Sequence, residues 1–261
     1  MTSAPAPLVR VSTAHGVTTL TLDSPHNRNA LSTPLMIELI AGLAAAVADD
    51  VVRVVVLSHT GPVFSSGADL KETAAAYQSG TVPVAMLGDL LTAVWECPKP
   101  VVARVGGPAR AGGLGLIAAA DIAICAQDAT FAFTEVRIGV IPAVISATVL
   151  PRLHPRAAAE LYLTGDTFDG RRAAEIGLVT GVTTAEALDE TVASYCAALL
   201  RGAPGASVGV KELLRRPPAA GFRADLAELT ELSVRYFHSE EGREGVAAFR
   251  EKRPPRWVSG D

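Results

Sequence analysis

The run Val51-Val52-Arg53-Val54-Val55-Val56-Leu57 constrains the fold more than any other segment of the chain. It is almost wholly β-branched and apolar, which suits an extended strand better than a helix. It does not alternate with polar residues, so the strand should be buried on both faces. The surrounding pattern agrees. Residues 34–48 place Leu35, Leu39, Leu43 and Val47 at helical spacing. Helices are expected over 69–78 and 83–95, and Pro98-Lys99-Pro100 then punctuates the chain. A strand is expected over 101–105, a helix over 112–120, and strands over 122–126 and 131–133. Strand, loop, helix and strand recurring in this way argue for crossover units and an α/β fold. At the start, residues 9–11 and 17–22 flank His15-Gly16 and read as a hairpin.

From about Pro142 the pattern turns helical, over 143–150, 155–163, 185–201, 206–214 and 224–237. The last of these carries a mostly apolar stripe of Leu226, Leu229, Ser233 and Phe237. A composition shift near residue 200 divides a β/α core, 1–200, from a helical C-terminal region, 201–261.

Bulk properties narrow the function. With 49% apolar residues in 261, a sizeable core is expected. A formal charge of −4 with no basic block argues against a nucleic-acid or membrane-surface role. No apolar run approaches the roughly 20 residues of a membrane span, and the stretch 114–125 is broken by Asp121. Residues 1–7 are rich in Pro and Ala, lack the order of a signal peptide, and read as a frayed tail. Cys97, Cys125 and Cys196 fit neither a metal pattern nor a disulfide framework, so no metal and a reducing, cytoplasmic setting are expected. Cys125, in an apolar strand, reads as core.

Two segments carry the chemistry: Ser65-Ser66-Gly67-Ala68-Asp69-Leu70 and Ala111-Gly112-Gly113-Leu114-Gly115-Leu116. Each puts small residues where a strand or loop turns into a helix. There the first backbone N–H groups lack intrahelical partners, and the positive end of the helix dipole lies behind them. Taken singly, Gly112-Gly113 reads equally as close helix packing, and Asp69 as an acid in a first helical turn. A third segment, Phe133-Thr134-Glu135-Val136-Arg137-Ile138-Gly139-Val140-Ile141-Pro142, sets one carboxylate in an apolar run. Among Phe133, Val136 and Ile138 that carboxylate should lose hydration and its pKa should rise. The alternative is a surface Glu paired with Arg137.

In this order the three segments resemble the crotonase (enoyl-CoA hydratase/isomerase) family. So do Asn27-Arg28-Asn29-Ala30-Leu31-Ser32, Tyr162-Leu163-Thr164-Gly165, Ala173-Ala174-Glu175-Ile176-Gly177-Leu178-Val179 and Phe249-Arg250-Glu251-Lys252-Arg253. The resemblance spans nearly the whole chain. It implies a ββα spiral core with a helical C-terminal region that forms a homotrimer or a dimer of trimers. It implies an acyl-CoA substrate, with coenzyme A as part of that substrate and no separate cofactor. The thioester oxygen would sit between the N–H groups of Ala68 and Gly112, which would stabilise an enolate, with Glu135 as acid/base. Coenzyme A would lie along Arg28, Ala30 and Ala68, Asp69 and Leu70, approached by Phe249 and Lys252. Phe249 reads equally as helix packing, Lys252 as a solvated charge and Asp69 as a helix cap. Met86, Leu87, Val94 and Trp95 would line the acyl pocket or belong to the core.

One position departs from the family pattern. Hydratases usually carry a second Glu three residues beyond the second oxyanion glycine, where this chain has Gly115. Gly115 either leaves room for a bulky acyl group or lets two helices approach. A single carboxylate suits the moving of a double bond, whereas hydration uses two acids well. Enoyl-CoA hydratase is therefore the leading activity, with isomerase or CoA-thioester hydrolase as alternatives. An acyl-CoA-binding pseudo-enzyme is the non-catalytic alternative.

Overall fold

The computed structural model describes residues 6–69, 72, 84–217 and 221–258. The expected helix over 69–78, apart from Asp69 and Glu72, lies outside the described residues, as does Leu70.

The first strands, β1 (Val9–Ala14) and β2 (Val17–Leu22), form the expected hairpin, longer in its first arm. Its two-residue turn, His15-Gly16, has φ of 48° and 76°. Positive φ at both central positions matches the twist of the strands and favours a glycine. Helix α1 (Thr33–Ala48) follows and buries Leu35, Met36, Leu39 and Leu43. The valine-rich run becomes β3 (Val54–His59), fully buried over its first five residues. It begins three residues later than the composition suggested. Val51 is 69% exposed, because residues 49–52 still complete the turn out of α1: the Val52 N–H donates to Asp49 O, and Lys99 Nζ donates to the carbonyls of Ala46 and Asp49.

Helix α2 (Val84–Trp95) leads to β4 (Val101–Val105) and the short β5 (Ala109–Arg110). Then come α3 (Gly112–Ala119), β6 (Ile122–Ala126) and β7 (Thr130–Ala132), the last shifted by one residue from the expected 131–133. Helices α4 (Ala143–Val149) and α5 (Pro155–Thr164), β8 (Phe168–Asp169), α6 (Gly170–Glu175) and β9 (Gly181–Thr183) complete the body. The main sheet runs β1-β2-β3-β4-β6-β9, parallel from β2 onward. A small second sheet runs β5-β7-β8. The core lies between the main sheet and its helices, where Leu20, Val54, Val55, Leu90, Val101, Leu114 and Leu116 are fully buried.

Four helices end the chain: α7 (Leu188–Leu200), α8 (Pro204–Arg215), α9 (Phe222–His238) and α10 (Glu240–Glu251). Helix α8 is tied across residue 200 to the body. Lys211, 6% exposed, is ion-paired with Asp121 and donates to Lys99 O at 2.8 Å, while Arg215 reaches Asp121 at 3.3 Å. Helix α9 buries none of its residues, and its stripe of Leu226 and Phe237 is exposed. A cavity of about 360 Å³ opens between α8, α9 and α10, walled by Ala206, Tyr236, Phe237, Val246 and Trp257.

Candidate active site

Parallel strands deliver loops to their carboxyl ends, where open α/β sheets place their sites. Here the loops after β3 and β4 run side by side with the segment that precedes α1. Ser66 N–H donates to Arg28 O (3.0 Å), Ser65 Oγ to Asn29 O (2.8 Å), Leu31 N–H to Gly67 O (2.8 Å) and Arg110 N–H to Ser65 O (3.0 Å). Asn29 is the fastener of this seam. Its side chain accepts from Ser24 N–H and donates to Thr60 O and Val63 O, and it is wholly buried.

Within this dense network, the N–H groups of Ala68 and Gly112 have no acceptor among the described residues. Gly112 opens α3, so its N–H has no intrahelical partner and carries the positive end of the dipole. The two donors sit on touching segments. Gly67 has φ +87°, and a Cβ built on it would lie 2.9 Å from Ala111 Cβ and Arg110 O and 3.4 Å from Gly112 N. No other residue fits there without moving one donor against the other. Ala111, just before Gly112, is held at φ 46° and ψ −117°, a conformation that costs a non-glycine residue about 1–3 kcal/mol. Its N–H reaches Ala132 O at 3.4 Å, and its carbonyl accepts from Leu114 at 2.9 Å. Strain held by such a frame aims the next N–H outward.

Glu135 lies in the 3-10 turn Thr134–Ile138, which leaves β7 where β5 passes into α3. It is 9% exposed, and its Oε2 is buried with no hydrogen-bond partner among the described residues. Burial pushes its carboxyl above the usual range, partly offset by a bond from its own backbone. It is not the surface residue paired with Arg137. Arg137 turns away to Asp166 (2.5 Å) and to Thr164 O (3.1 Å). The source of burial differs from expectation, however. Phe133 is fully buried, but Val136 and Ile138 are 38% and 68% exposed, because a 3-10 turn sends successive side chains outward in different directions. Tyr162 of α5 packs on Phe133, their ring centroids 4.6 Å apart.

The sequence model of the family described as enoyl-CoA hydratase/isomerase matches residues 12–260. The chain belongs to the enoyl-CoA hydratase/isomerase family. It is similar to an enoyl-CoA hydratase of known structure from Mycobacterium avium, at 43% identity and a TM-score of 0.73, covering 97% of this chain and 100% of that one. An enoyl-CoA hydratase from Mycobacterium smegmatis superposes with a TM-score of 0.89 at 30% identity, with the same coverage of both chains. Carnitinyl-CoA dehydratase of Citrobacter koseri is 33% identical over 256 residues, which span 94% of this chain and 96% of that relative. The α/β class and the crotonase family resemblance are thus established.

Against this family background Gly115 is decided by packing. A Cβ built on it would lie 2.6 Å from Ile145 Cγ2, 2.9 Å from Ile145 Cβ and 3.3 Å from Leu91 Cδ1. Room for a bulky acyl group at this point, one of the two expectations, is not there; the glycine lets α3 and α4 approach. Thr148 Oγ1 seals the contact by donating to Gly115 O at 3.0 Å. Gly113 is likewise a packing glycine, with Ser65 Cβ 2.9 Å from its would-be Cβ.

Of the other expected contacts, Arg28 is exposed with φ 59°, its carbonyl used by Ser66, and Ala30 is buried beside it. Asp69 acts as the cap anticipated for it: Glu72 N–H donates to its Oδ1 at 3.2 Å. Glu72 in turn accepts from Thr33 N–H at the start of α1, a link the sequence reading missed. An acid three residues after a capping residue was the available signal. Phe249 is 85% exposed, and Lys252 closes α10 at φ 55°. Among the described residues, neither makes a hydrogen bond or ion pair with the three loops. Leu87 flanks Gly112, 3.5 Å from its would-be Cβ, while Val94 is core. Trp95 packs against the core and lies near Arg152 and Arg215, with their guanidinium carbons 4.9 and 5.9 Å from its ring. Cys125 is wholly buried, its thiol pushed up to about 12, consistent with a core role. Among the described residues no His, Cys, Asp or Glu cluster could hold a metal, and no helix is long and apolar enough to cross a membrane.

Proposed function

We propose that the chain is an enoyl-CoA hydratase-like enzyme whose substrate is an acyl-CoA thioester. The carrying observation is that, among the described residues, the N–H groups of Ala68 and Gly112, on touching segments, have no acceptor, and the buried carboxylate of Glu135 has an oxygen without a partner. The thioester oxygen accepts from both N–H groups. As negative charge moves onto it, each donor is worth about 3–4 kcal/mol of transition-state stabilisation. The adjacent carbon becomes acidic enough to exchange a proton with Glu135. A carboxylate with a raised pKa is suited to both giving and taking that proton near neutrality. Coenzyme A runs past Arg28, Ala30, Asp69 and Leu70, with Phe249 and Lys252 supplied by a neighbouring copy. The uncovered apolar face of α9 supports assembly as a trimer or dimer of trimers.

A second reading, enoyl-CoA isomerase, is favoured by Ile145. It fills with hydrocarbon the direction in which a residue-115 side chain would point. One carboxylate can carry a proton from one carbon of the substrate to another without adding water. The test is turnover of crotonyl-CoA and of a 3-enoyl-CoA, followed by the conjugated enoyl absorbance, with Glu135→Gln alongside. Loss of absorbance with crotonyl-CoA that falls by about 10²–10⁴ in the variant supports hydratase. A gain with the 3-enoyl substrate alone supports isomerase. Silence with both sinks the two readings and leaves a hydrolase or an acyl-CoA-binding pseudo-enzyme.

A further inference from the structure

Strand β3 ends on His59, and its parallel neighbour β4 ends one residue before Gly106. From His59 the chain runs on to Ala68, and from Gly106 it runs on to Gly112. The two loops leave the sheet in contact. A Cβ built on Gly107 would lie 2.1 Å from Pro62 O, and Phe64 N–H donates to Pro108 O at 2.9 Å. At the root of this contact Gly106 N–H donates to His59 Nε2 at 3.0 Å. Phe64 steadies the imidazole, meeting it edge to face with centroids 5.5 Å apart and planes at 77°.

That bond fixes the state of the ring. A backbone N–H can only donate, so Nε2 is the acceptor, and the proton of the neutral ring sits on Nδ1. Nδ1 is buried and has no hydrogen-bond partner among the described residues. The other neutral tautomer and the imidazolium both carry a proton on Nε2, aimed at the Gly106 N–H, and either one loses the bond. Arg104 on β4 faces the ring: its Nη1 and His59 Nε2 are each 3.1 Å from the would-be Cβ of Gly106. Asp189 of α7 is the ion-pair partner of Arg104. Asp23 follows the β2 residue that pairs with His59; it binds Arg10 at 2.8 Å and accepts from Thr60 Oγ1 at 2.6 Å. Burial holds the imidazole pKa below the usual histidine value, opposed in part by backbone groups of Thr60, Gly61 and Val63 and reinforced by the Arg104 guanidinium.

We infer that His59 is a positioning residue whose neutral Nε2 clasps the root of the Gly112 loop to the root of the Ala68 loop, setting the spacing of the two N–H donors, and that protonation opens the clasp. The proton comes from water, and the only bond lost is the hydrogen bond to Gly106. The clasp is closed above the pKa of the ring and is lost as pH falls through it. The inference rests on the reading that Ala68 and Gly112 together receive the thioester oxygen.

The experiment follows the full-length protein without substrate by nitrogen NMR against pH. At neutral pH the His59 ring should show Nδ1 protonated and Nε2 bare, with a titration midpoint below about 6.5. The amide signals of Gly106, Ala68 and Gly112 should move with that same midpoint. An Nε2-protonated tautomer at neutral pH, or Ala68 and Gly112 amides indifferent to the His59 titration, overturns the inference. Enoyl-CoA turnover is measured in parallel, and wild-type kcat should fall on the acid side at the His59 midpoint. His59→Phe keeps a ring against Phe64 and removes the acceptor, so kcat should drop by about 10- to 100-fold with KM little changed. His59→Gln offers an acceptor that does not titrate. It should recover most of that loss and lack the limb at the His59 midpoint. A residue that merely fills space is replaced better by Phe than by Gln, and that order of the two variants also overturns the inference. If wild-type protein turns over no enoyl-CoA, the functional reading fails, while the amide titration still decides the clasp.

Discussion

Where the segments 24–32, 60–68 and 106–112 meet, the groups are densely hydrogen-bonded, down to the five hydrogen bonds made by Asn29. On α9, by contrast, no residue is buried, and Phe222 and Phe237 are 80% and 64% exposed. The first region is complete within one chain. The second presents apolar surface that one chain does not cover, which is how interaction faces are recognised. Among the described residues, two N–H donors on touching segments, those of Ala68 and Gly112, are left without an acceptor at this loop end. The contrast teaches that the candidate site is framed by the body of the fold, whereas the helical end leaves apolar surface bare.

The sharpest way to break this comparison is Gly115→Glu. It forces a charged side chain into the position of Ile145, and a buried unpaired charge together with overpacking should destabilise the protein by about 3 kcal/mol or more. Urea unfolding reads this, and crotonyl-CoA hydration should not improve. Enhanced hydration at wild-type stability would show that α3 and α4 are not in the contact described. Next in size is Lys211→Met. It removes the buried cation that joins α8 to Asp121, with Arg215 left as a partial partner. A loss of about 2–3 kcal/mol in global stability is expected. If only local protection in α8 falls, as read by hydrogen exchange, then the helical end is held independently of the body.

A smaller effect separates stability from function at Glu135. Burial raises its pKa, so the folded state favours the neutral acid. That contribution is fully present below the ordinary carboxylate range and is lost as pH rises through the raised value. Glu135→Gln is neutral throughout. It should match wild type in Tm at about pH 4 and exceed it by roughly 2–4 °C at about pH 8. Equal Tm values at both pH values would mean that the carboxylate is solvated. The smallest effect is expected for Arg137→Ala. Its pair with Asp166 is exposed on both sides, at 54% and 64%, so stability should change by less than about 0.5 kcal/mol. A larger loss in thermal unfolding would mean that this pair, and not burial, holds the Glu135 turn.

Much of the site was legible along the chain. Small residues at the start of α3, a glycine before Ala68 and a lone acid in an apolar run are local signals of turns and helix starts. They put Ala68, Gly112 and Glu135 at the ends of elements, where backbone or side-chain groups are left over. The misreadings have one cause. Val136 and Ile138 look like a wall around Glu135 in one dimension, but the 3-10 turn exposes both. Trp95 sits on the same helix as Leu87 yet faces Arg152 and Arg215. Neither direction follows from residue type.

The succession of strands β1–β4, β6 and β7 with their helices, the hairpin at His15-Gly16 and the buried nature of β3 were thus determined by the sequence alone, because period, β-branching and turn chemistry act over a few residues, whereas the short strands β5, β8 and β9 were not legible there. The tertiary structure alone decided that Ile145, thirty residues downstream, occupies the space beside Gly115. It alone decided that Tyr162 packs on Phe133 and meets Ser146, and that the stripe on α9 is left bare. Close packing makes each such space the joint property of segments far apart in the chain, so no single stretch of sequence can announce what fills it.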